Sequence, residues 1–513
     1  MNITIHRGIN QIGGCITEIA TANTRILIDL GQNLPDGDGN VVDKFANPRA
    51  IKKLTHNVDA IFYTHYHGDH IGLCHLVPDT IPQYIGEVAK RVVLCKHKQL
   101  KFINERKERT EKELAIIEKM KTYKADEPLT IGDIKITPYF VSHSAYDAYM
   151  FLIDADGKRI LHTGDFRDHG YLGKGLFPTI KYHILKKGKI DFLITEGTML
   201  SRYHEKVRHE YQLKLEMFEI LDQYKNIFVF CSSTDIDRLA TLYSANAKIK
   251  RRPFVCDDYQ KDVLKIFAKN AGKESPLYQF KNIVSFWRGN RELMECIKKE
   301  GVFMVVRATK KFNDDINFLM SQMDQKDTVI IYSLWQGYIH EGRKNAIQNY
   351  LDLLKKFENV KFIHTSGHAS AECLAEVSNL VNPTMGIIPI HSEISSRFHD
   401  LPIKVELKAK IITKSTTFAD NTKVYVNQTS IEKQDSNLNS DDQLFIKKMH
   451  ELFMQALDPN IPSYTIPNFD RVKLIDCLAN EIRFIASNET IDEAVEEAYY
   501  ELSETKGYHS LNK

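Results

Sequence analysis

Short apolar runs recur along the chain, and several end in chemically active side chains. RILIDL (25–30) carries Asp29, DAIFYTH (59–65) runs into His65, and RILHTGDF (159–166) runs into Asp165. DFLITEG (191–197) carries Glu196, VKFIHTSGH (360–368) ends on His368, and MGIIPIHSE (385–393) contains His391. Their β-branched and aromatic content predicts buried strands. Polar groups at strand ends are how an α/β scaffold presents a site. Between these runs the period changes. KQLKFINERKERTEKELAIIEKMKTY (98–123) spaces its apolar residues as a helix does and carries many charges, which predicts a solvated surface helix. A basic, substrate-facing helix is the alternative there. YQLKLEMFEILDQY reads as a helix, and NIFVFCSS and TVIIYSLW read as buried strands. Strands with site-type residues resume near residue 360, so the order predicts one domain interrupted by another. EKQDSNLNSDD (432–442) is a polar, turn-prone linker. Helices are expected near 443–457, 471–486 and 491–503, the last opened by the capping-box pattern Thr490-x-x-Glu493. This appendage carries no recognisable chemistry and reads as a packing or dimerisation module.

Composition narrows the class. A chain of 513 residues exceeds one ordinary core and implies about two to four domains. Hydrophobic residues at 43% and charged residues at 27% are typical of a globular protein. The formal net charge of +2 means that a nucleic-acid partner must be held by a local patch. No signal peptide or membrane-length apolar run is visible. Eight scattered cysteines without a C-x-x-C pair fit reduced thiols and a cytoplasmic location. PDGDGN (35–40) resembles a calcium loop, but Val41 stands where such a loop needs Gly and Asn47 where it needs Glu. No phosphate-binding G-x-x-x-x-G-K-[ST] loop appears, which gives no support to ATP-driven chemistry.

The densest chemistry lies in FYTHYHGDHIG (62–72), where His65, His67, Asp69 and His70 fall within six positions. A lone histidine is more often a satisfied core residue. Four donors at this spacing predict a metal site, because imidazole nitrogen and carboxylate oxygen bind zinc at about 2.0–2.2 Å. Gly68 is expected to supply a tight turn that brings Asp69 and His70 to a second ion. One segment does not fill two sites, so further donors are expected at other strand ends. His143 in VSHSAYDAYMF, Asp165 in HTGDFRD and His391 in PIHSE are the candidates. Each is weak by spacing alone. HTGDF is the strongest, its aspartate following a glycine directly after an apolar run.

THYHGDH resembles the H-x-H-x-D-H signature of the metallo-β-lactamase fold, a four-layer αββα hydrolase scaffold. Asp29, His143, Asp165 and His391 fall in that family's order for its remaining motifs. Glu196 in ITEGT, His368 in TSGHAS and His391 in IPIHSE resemble motifs A, B and C of the β-CASP subfamily. That subfamily contains ribonuclease J, the pre-mRNA cleavage and polyadenylation endonuclease, and the DNA nuclease Artemis. HTGDF and SGHAS are most similar to ribonuclease J; the tail does not match its C-terminal domain. The resemblance covers roughly residues 1–430. It implies a metallo-β-lactamase domain over 1–200 completed by 360–430, an α/β β-CASP insert over 201–359, and a linker with a helical C-terminal region over 431–513.

Carried over by position, the resemblance assigns His65, His67 and His143 to a first zinc. It assigns Asp69, His70 and His391 to a second, with Asp165 bridging and Asp29 orienting ligands from behind, or else only forming the turn at its strand end. Manganese is the alternative metal. Two such ions would activate water and neutralise phosphoryl charge. His368 is expected to act as general acid, oriented by Glu196, with Asp69 part of the catalytic set. Ser366, His368 and Ser370 are expected to contact substrate phosphate, with small Gly367 and Ala369 allowing its approach. The alternative for SGHAS is an ordinary loop opening the helix at AECLAEV. Ser333, Trp335 or Tyr338 in IIYSLWQGYI would line the cleft for base stacking, or pack in the core. KIKRRP (248–253) reads as a phosphate contact or as an exposed charge run.

The expected function is a two-zinc phosphodiesterase acting on single-stranded nucleic acid, with RNA favoured. His391 at motif C favours RNA, since Artemis-type proteins carry Val there. A small-ester or thioester hydrolase and a non-catalytic scaffold are the other rivals. The long insert with Glu196 and His368 disfavours the former, and the complete donor set disfavours the latter. A partner protein or second copy is expected to bind through the C-terminal helices.

Overall fold

A computed structural model describes residues 1–34, 42–101, 107–203, 205–249, 252–340 and 347–427. The expected C-terminal linker and helices, PDGDGN, and the centre of KIKRRP lie outside the described residues. Among the described residues, three sheets carry the architecture.

The first sheet runs, edge to edge, through Thr416–Thr417, Lys423–Val426, Asn2–Arg7, Ile16–Ala20, Arg25–Ile28, Ala60–Phe62, Gln83–Gly86 and Lys121–Tyr123. The second runs through Gly386–Ile390, Phe192–Glu196, Lys158–His162, Ala148–Ala155, Ile134–Val141 and Leu129–Ile131. Strand alternation sorts their side chains into layers. Ile26 and Ile28 point between the two sheets, where they meet Phe151, Phe192 and Ile388; Leu27 between them points the other way, toward Ile51 and Val92 of the outer helices. Helix Ala371–Val381 covers the outer face of the second sheet through Leu374 and Val377. The result is the expected αββα sandwich.

The third sheet is parallel throughout, in the order Ile283–Ser285, Phe254–Cys256, Val302–Val306, Asn226–Cys231, Thr328–Ser333, Val360–Phe362. Its strands are near-continuous apolar runs because helices cover both faces. Glu210–Gln223, Ile236–Ile249 and Asp258–Glu274 lie on one side, Arg291–Glu300 and Lys310–Met320 on the other.

Two expectations change here. The 98–123 segment is not one helix. Glu87–Leu100 and Lys107–Lys119 are separate helices, and Lys121–Tyr123 is an edge strand of the first sheet. Val92 and Val93 of the first helix and Ile117 of the second join one core cluster, so the helical spacing holds within each helix. Val360–Phe362 is a strand, but it is an exposed edge of the third sheet, paired with Thr328–Ser333. The chain therefore leaves the third sheet a few residues beyond 359.

Candidate metal centre

The site sits where several strands of the sandwich end together. Phe192–Glu196 is parallel to both Lys158–His162 and Gly386–Ile390, so Glu196, Asp165 and His391 emerge on one side. Arg25–Ile28 and Ala60–Phe62 are likewise parallel and deliver Asp29 and His65. His143 follows Ile134–Val141. Asp29 and His391 both hold left-handed backbone (φ 62° and 50°), a conformation that non-glycine residues adopt at a cost of about 1–3 kcal/mol.

His65, His67 and His143 offer nitrogens that all lie within 4.8 Å of one another. His65, His70 and Asp165 form a second such group, and Asp165, Glu196, His368 and His391 a third. Asp165 Oδ2 is the hub. It lies 3.2 Å from His70 Nε2, 3.6 Å from His391 Nε2, 3.8 Å from His143 Nε2 and 3.9 Å from His65 Nε2. Asp69 Oδ2 lies 3.2 Å from His391 Nε2.

The opposite ring nitrogens are held from behind. Asp29 Oδ2 accepts from His70 Nδ1 at 2.7 Å, while Asp29 Oδ1 accepts from the Thr64 amide at 2.7 Å. The Gly367 carbonyl accepts from His143 Nδ1 at 2.7 Å. Thr64 Oγ1 lies 3.1 Å from His65 Nδ1, and Thr198 Oγ1 lies 2.7 Å from His391 Nδ1. A ring that gives its Nδ1 proton to such a partner presents an Nε2 lone pair.

At His65, His67 and His143 the inward nitrogens converge on one another. His143 Nε2 and His67 Nδ1 are 3.2 Å apart, and buried His65 Nε2 and His70 Nε2 have no hydrogen-bond partner. Burial and the neighbouring imidazoles hold His65 well below the ordinary histidine range. Burial does the same to His143, with His368 and His67 adding to it. Burial likewise lowers His67 to about 4. Burial opposes ionisation of Asp69, but the hydrogen bond from His391 and the charge of His70 keep its carboxyl well below the usual range. Burial opposes protonation of His70 and His391 as well, but the Asp165 carboxylate, with Asp29 and Asp69, outweighs it and raises both. Three imidazoles held neutral beside ionised carboxylates suit a divalent cation, which would take the place of the protons on the other two.

Glu196 is fully buried and its Oε1 accepts from the Phe166 amide at 2.9 Å. Its Oε2 lies 3.0 Å from His368 Nδ1. The His368 side chain is 21% exposed, against 0–3% for His65, His70, His143, Asp165 and His391, so it stands at the mouth of the cluster.

The expected phosphate contacts fare differently. Ser370 is the N-cap of helix Ala371–Val381, its Oγ accepting from Cys373 N at 3.1 Å. Buried Ser366 Oγ accepts from the His368 amide at 3.1 Å and faces Met199 Sδ at 3.3 Å. Both hydroxyls thus have a role within the loop that opens the helix. Gly68 is not a left-handed turn: it opens the short helix Gly68–Ile71, and open space surrounds the position of a Cβ there. The glycine that close packing demands is Gly31, whose Cβ would lie 1.7 Å from the Asp69 carbonyl oxygen. Trp335 carries the Arg202 guanidinium 5.0 Å above its ring and meets Tyr338 edge-on.

Two neighbours were missed. Buried Cys15 places its thiol within 4.8 Å of His70 and His391 donors, and Thr198 supports His391 and contacts His368 Nδ1 at 3.1 Å. Cys15 has no motif around it. Thr198 had a weak signal, two residues beyond Glu196 in ITEGT.

Residues 24–226 match the model of the beta-lactamase superfamily domain. Ribonuclease J of Helicobacter pylori is 22% identical over 409 residues, spanning 77% of this chain and 56% of that protein. The chain thus spans little more than half the length of that relative. Ribonuclease J of Mycoplasma genitalium is 23% identical over 423 residues, covering 75% of this chain and 67% of that one. An RNase J-like protein of Methanocaldococcus jannaschii is 28% identical over 208 residues, 38% of this chain and 42% of that one. Among solved structures, a protein of unknown function from Enterococcus faecalis superposes with a TM-score of 0.57 at 19% identity, covering 76% of this chain and 94% of that one.

Proposed function

We propose that this chain, whose residues 24–226 match a beta-lactamase superfamily domain and which is similar to ribonuclease J over about three quarters of its length, hydrolyses phosphodiester bonds in single-stranded RNA. The observation that carries the proposal is the hub at Asp165 Oδ2, 3.6 Å from His368 Nδ1, which sets a donor cluster directly beside a Glu196-anchored imidazole. His65, His67 and His143 would hold one divalent ion; Asp69, His70 and His391 would hold another; Asp165 would serve both. Zinc suits this nitrogen-rich set, with manganese as the alternative. When bound, such ions polarise a phosphoryl oxygen and make a water acidic enough to attack near neutral pH.

The protein's own residues do the rest. Glu196, pinned by the Phe166 amide, faces His368 Nδ1 and leaves Nε2 for the substrate. A proton held there goes to the leaving oxygen. Asp29 and Thr198 keep His70 and His391 oriented. The stacked Arg202–Trp335 pair offers a flat surface for a base. In this reading the third sheet and its helices are the β-CASP insert. Seven free cysteines among the described residues support a cytoplasmic setting.

The test uses matched RNA and DNA oligomers, with 5′-phosphate or 5′-hydroxyl, labelled at each end. Chelator-stripped protein is compared with protein given back zinc or manganese. RNA cleavage that requires the metal and disappears in Asp69→Ala is expected. Faster DNA cleavage would replace the substrate assignment. Metal-independent cleavage, or cleavage retained by Asp69→Ala, would sink the proposal.

A further inference from the structure

The segment that supplies Asp165 continues as FRDHG, and none of those residues belongs to the donor cluster. Arg167 is fully buried. Its guanidinium takes Asp235 in a two-pronged grip, Nη1 to Oδ2 at 3.0 Å and Nη2 to Oδ1 at 2.6 Å. Asp235 lies beyond strand Asn226–Cys231, at the carboxyl end of the third sheet. This is therefore a buried ion pair between the sandwich and the third-sheet layer. Arg238 extends it, binding Glu210 at 2.8 Å and the Ile363 carbonyl at 3.2 Å, while its amide donates to Asp235 Oδ1 at 3.2 Å. Asp237 Oδ2 stands 3.5 Å from Arg167 and accepts from Ser142 Oγ at 3.2 Å. Gly170 permits that approach, since a Cβ there would lie 2.1 Å from Asp237 Oδ2.

The grip ends on the active-site loop. Arg167 Nη1 donates to the Ser366 carbonyl at 3.4 Å, and His169 Nε2 to the same oxygen at 2.7 Å. The next carbonyl, of Gly367, holds His143 Nδ1. The residue after that is His368. One short loop thus carries a donor's orienting group and the proton-donating imidazole, and both are referenced to the third-sheet layer through Arg167.

We propose that Arg167, gripped by Asp235, is a positioning residue that holds the Ser366–His368 loop against the donor cluster. Docking of the inserted layer and geometry of the active site are then one mechanical unit. A bidentate guanidinium–carboxylate pair suits this role because it fixes orientation as well as distance. The inference rests on the hydrolase reading only for its kinetic consequence; the loop-holding itself is independent of it.

The test pairs Arg167→Lys, which keeps the charge and loses the fork, with Asp235→Asn, which keeps the shape and weakens the acceptor. Full-length proteins loaded with zinc are assayed on the RNA oligomer and on bis(p-nitrophenyl) phosphate. Hydrogen exchange is followed in the peptide spanning residues 364–370. We expect kcat to fall roughly 10- to 100-fold in either variant, with KM and bound metal within about twofold of wild type. The double variant should be no worse than the poorer single one, because both break the same grip. Exchange at residues 366–369 should rise about tenfold or more in both variants. Asp262→Asn, in a surface pair with Lys265, should change none of these. Unchanged exchange in the loop overturns the proposal, as does additive loss, or a rise in KM with kcat intact. A wild-type protein that cleaves neither substrate overturns the hydrolase reading instead, and exchange still decides the role of Arg167. Should either variant fail to fold, Arg167→Ala with added guanidinium replaces it; restored loop protection by guanidinium but not by methylammonium is expected.

Discussion

Two buried polar clusters lie side by side in this protein, and they are built on opposite principles. In the imidazole cluster, acceptors converge on acceptors: His143 Nε2 faces His67 Nδ1 at 3.2 Å, and the Nε2 atoms of His65 and His70 have no partner. In the Arg167–Asp235–Arg238–Glu210 cluster, donors meet acceptors, with Arg167 Nε the exception among the guanidinium groups that bridge the two layers. Burying unpaired polar atoms is costly, so the first cluster is complete only with a cation. The second is nearly saturated by its own members and serves geometry. The difference teaches that burial of charge does not by itself mark a ligand site; unmatched lone pairs do.

The comparison breaks most visibly at its hub. Asp165→Asn removes the one carboxylate oxygen shared by five imidazoles, and hydrolysis should fall on the order of 10³-fold or more. Metal content measured after desalting should fall with it. A variant that keeps both metal and rate would show that the cluster closes without its hub. Next in size is Glu196→Gln. It should lower kcat about 10²-fold while metal stays bound, because it touches the proton donor and leaves the donor cluster oriented. A substrate with a good leaving group should lose much less; equal loss on both substrates would mean that His368 does not donate the proton.

The smallest effect tests the saturated kind of cluster far from the site. Glu18 on the first sheet accepts from His6 Nε2 at 2.8 Å and from Arg25 Nη2 at 2.7 Å. Burial opposes its ionisation, but those two partners outweigh it and lower the carboxyl to about 2. A depressed folded-state pKa contributes stability above the unfolded value of 4.5, and that stability is lost as pH falls toward about 2. Glu18→Gln should therefore cost on the order of 1 kcal/mol at neutral pH. Thermal midpoints of variant and wild type should converge as pH is lowered. Curves that stay parallel down to pH 3 would assign the cost to lost packing.

Much of the site was legible because strand ends are local features. Each of the six apolar runs is a strand, and His65, Asp165, Glu196 and His391 sit at strand ends as their positions implied. The Ser370 side chain was partly legible: by its residues SGHAS favours a loop opening a helix, and the bond from Cys373 N is that cap, whereas a phosphate contact followed only from the resemblance. Gly68 looked like the necessary glycine because it lies inside the motif. The necessary one is Gly31, whose constraint comes from the Asp69 backbone packing against it across 38 residues of sequence. The 98–123 segment misled because periodicity does not register where a helix must stop to let the chain rejoin a sheet.

The sequence by itself marked His65, His67, Asp69 and His70 as a dense donor motif, because that crowding is local; the more distant donors, their order and the layered fold were legible only through the resemblance of the motifs to a known family. Tertiary structure decided which nitrogen of each histidine faces inward. That choice is made by Asp29, Thr64, Thr198 and the Gly367 carbonyl. It also decided that Arg167, two residues past the hub, would be gripped by Asp235, 68 residues away. Hydrogen-bond partners of buried groups are settled by whichever chain segments the parallel sheets bring together, and no short-range pattern encodes that meeting.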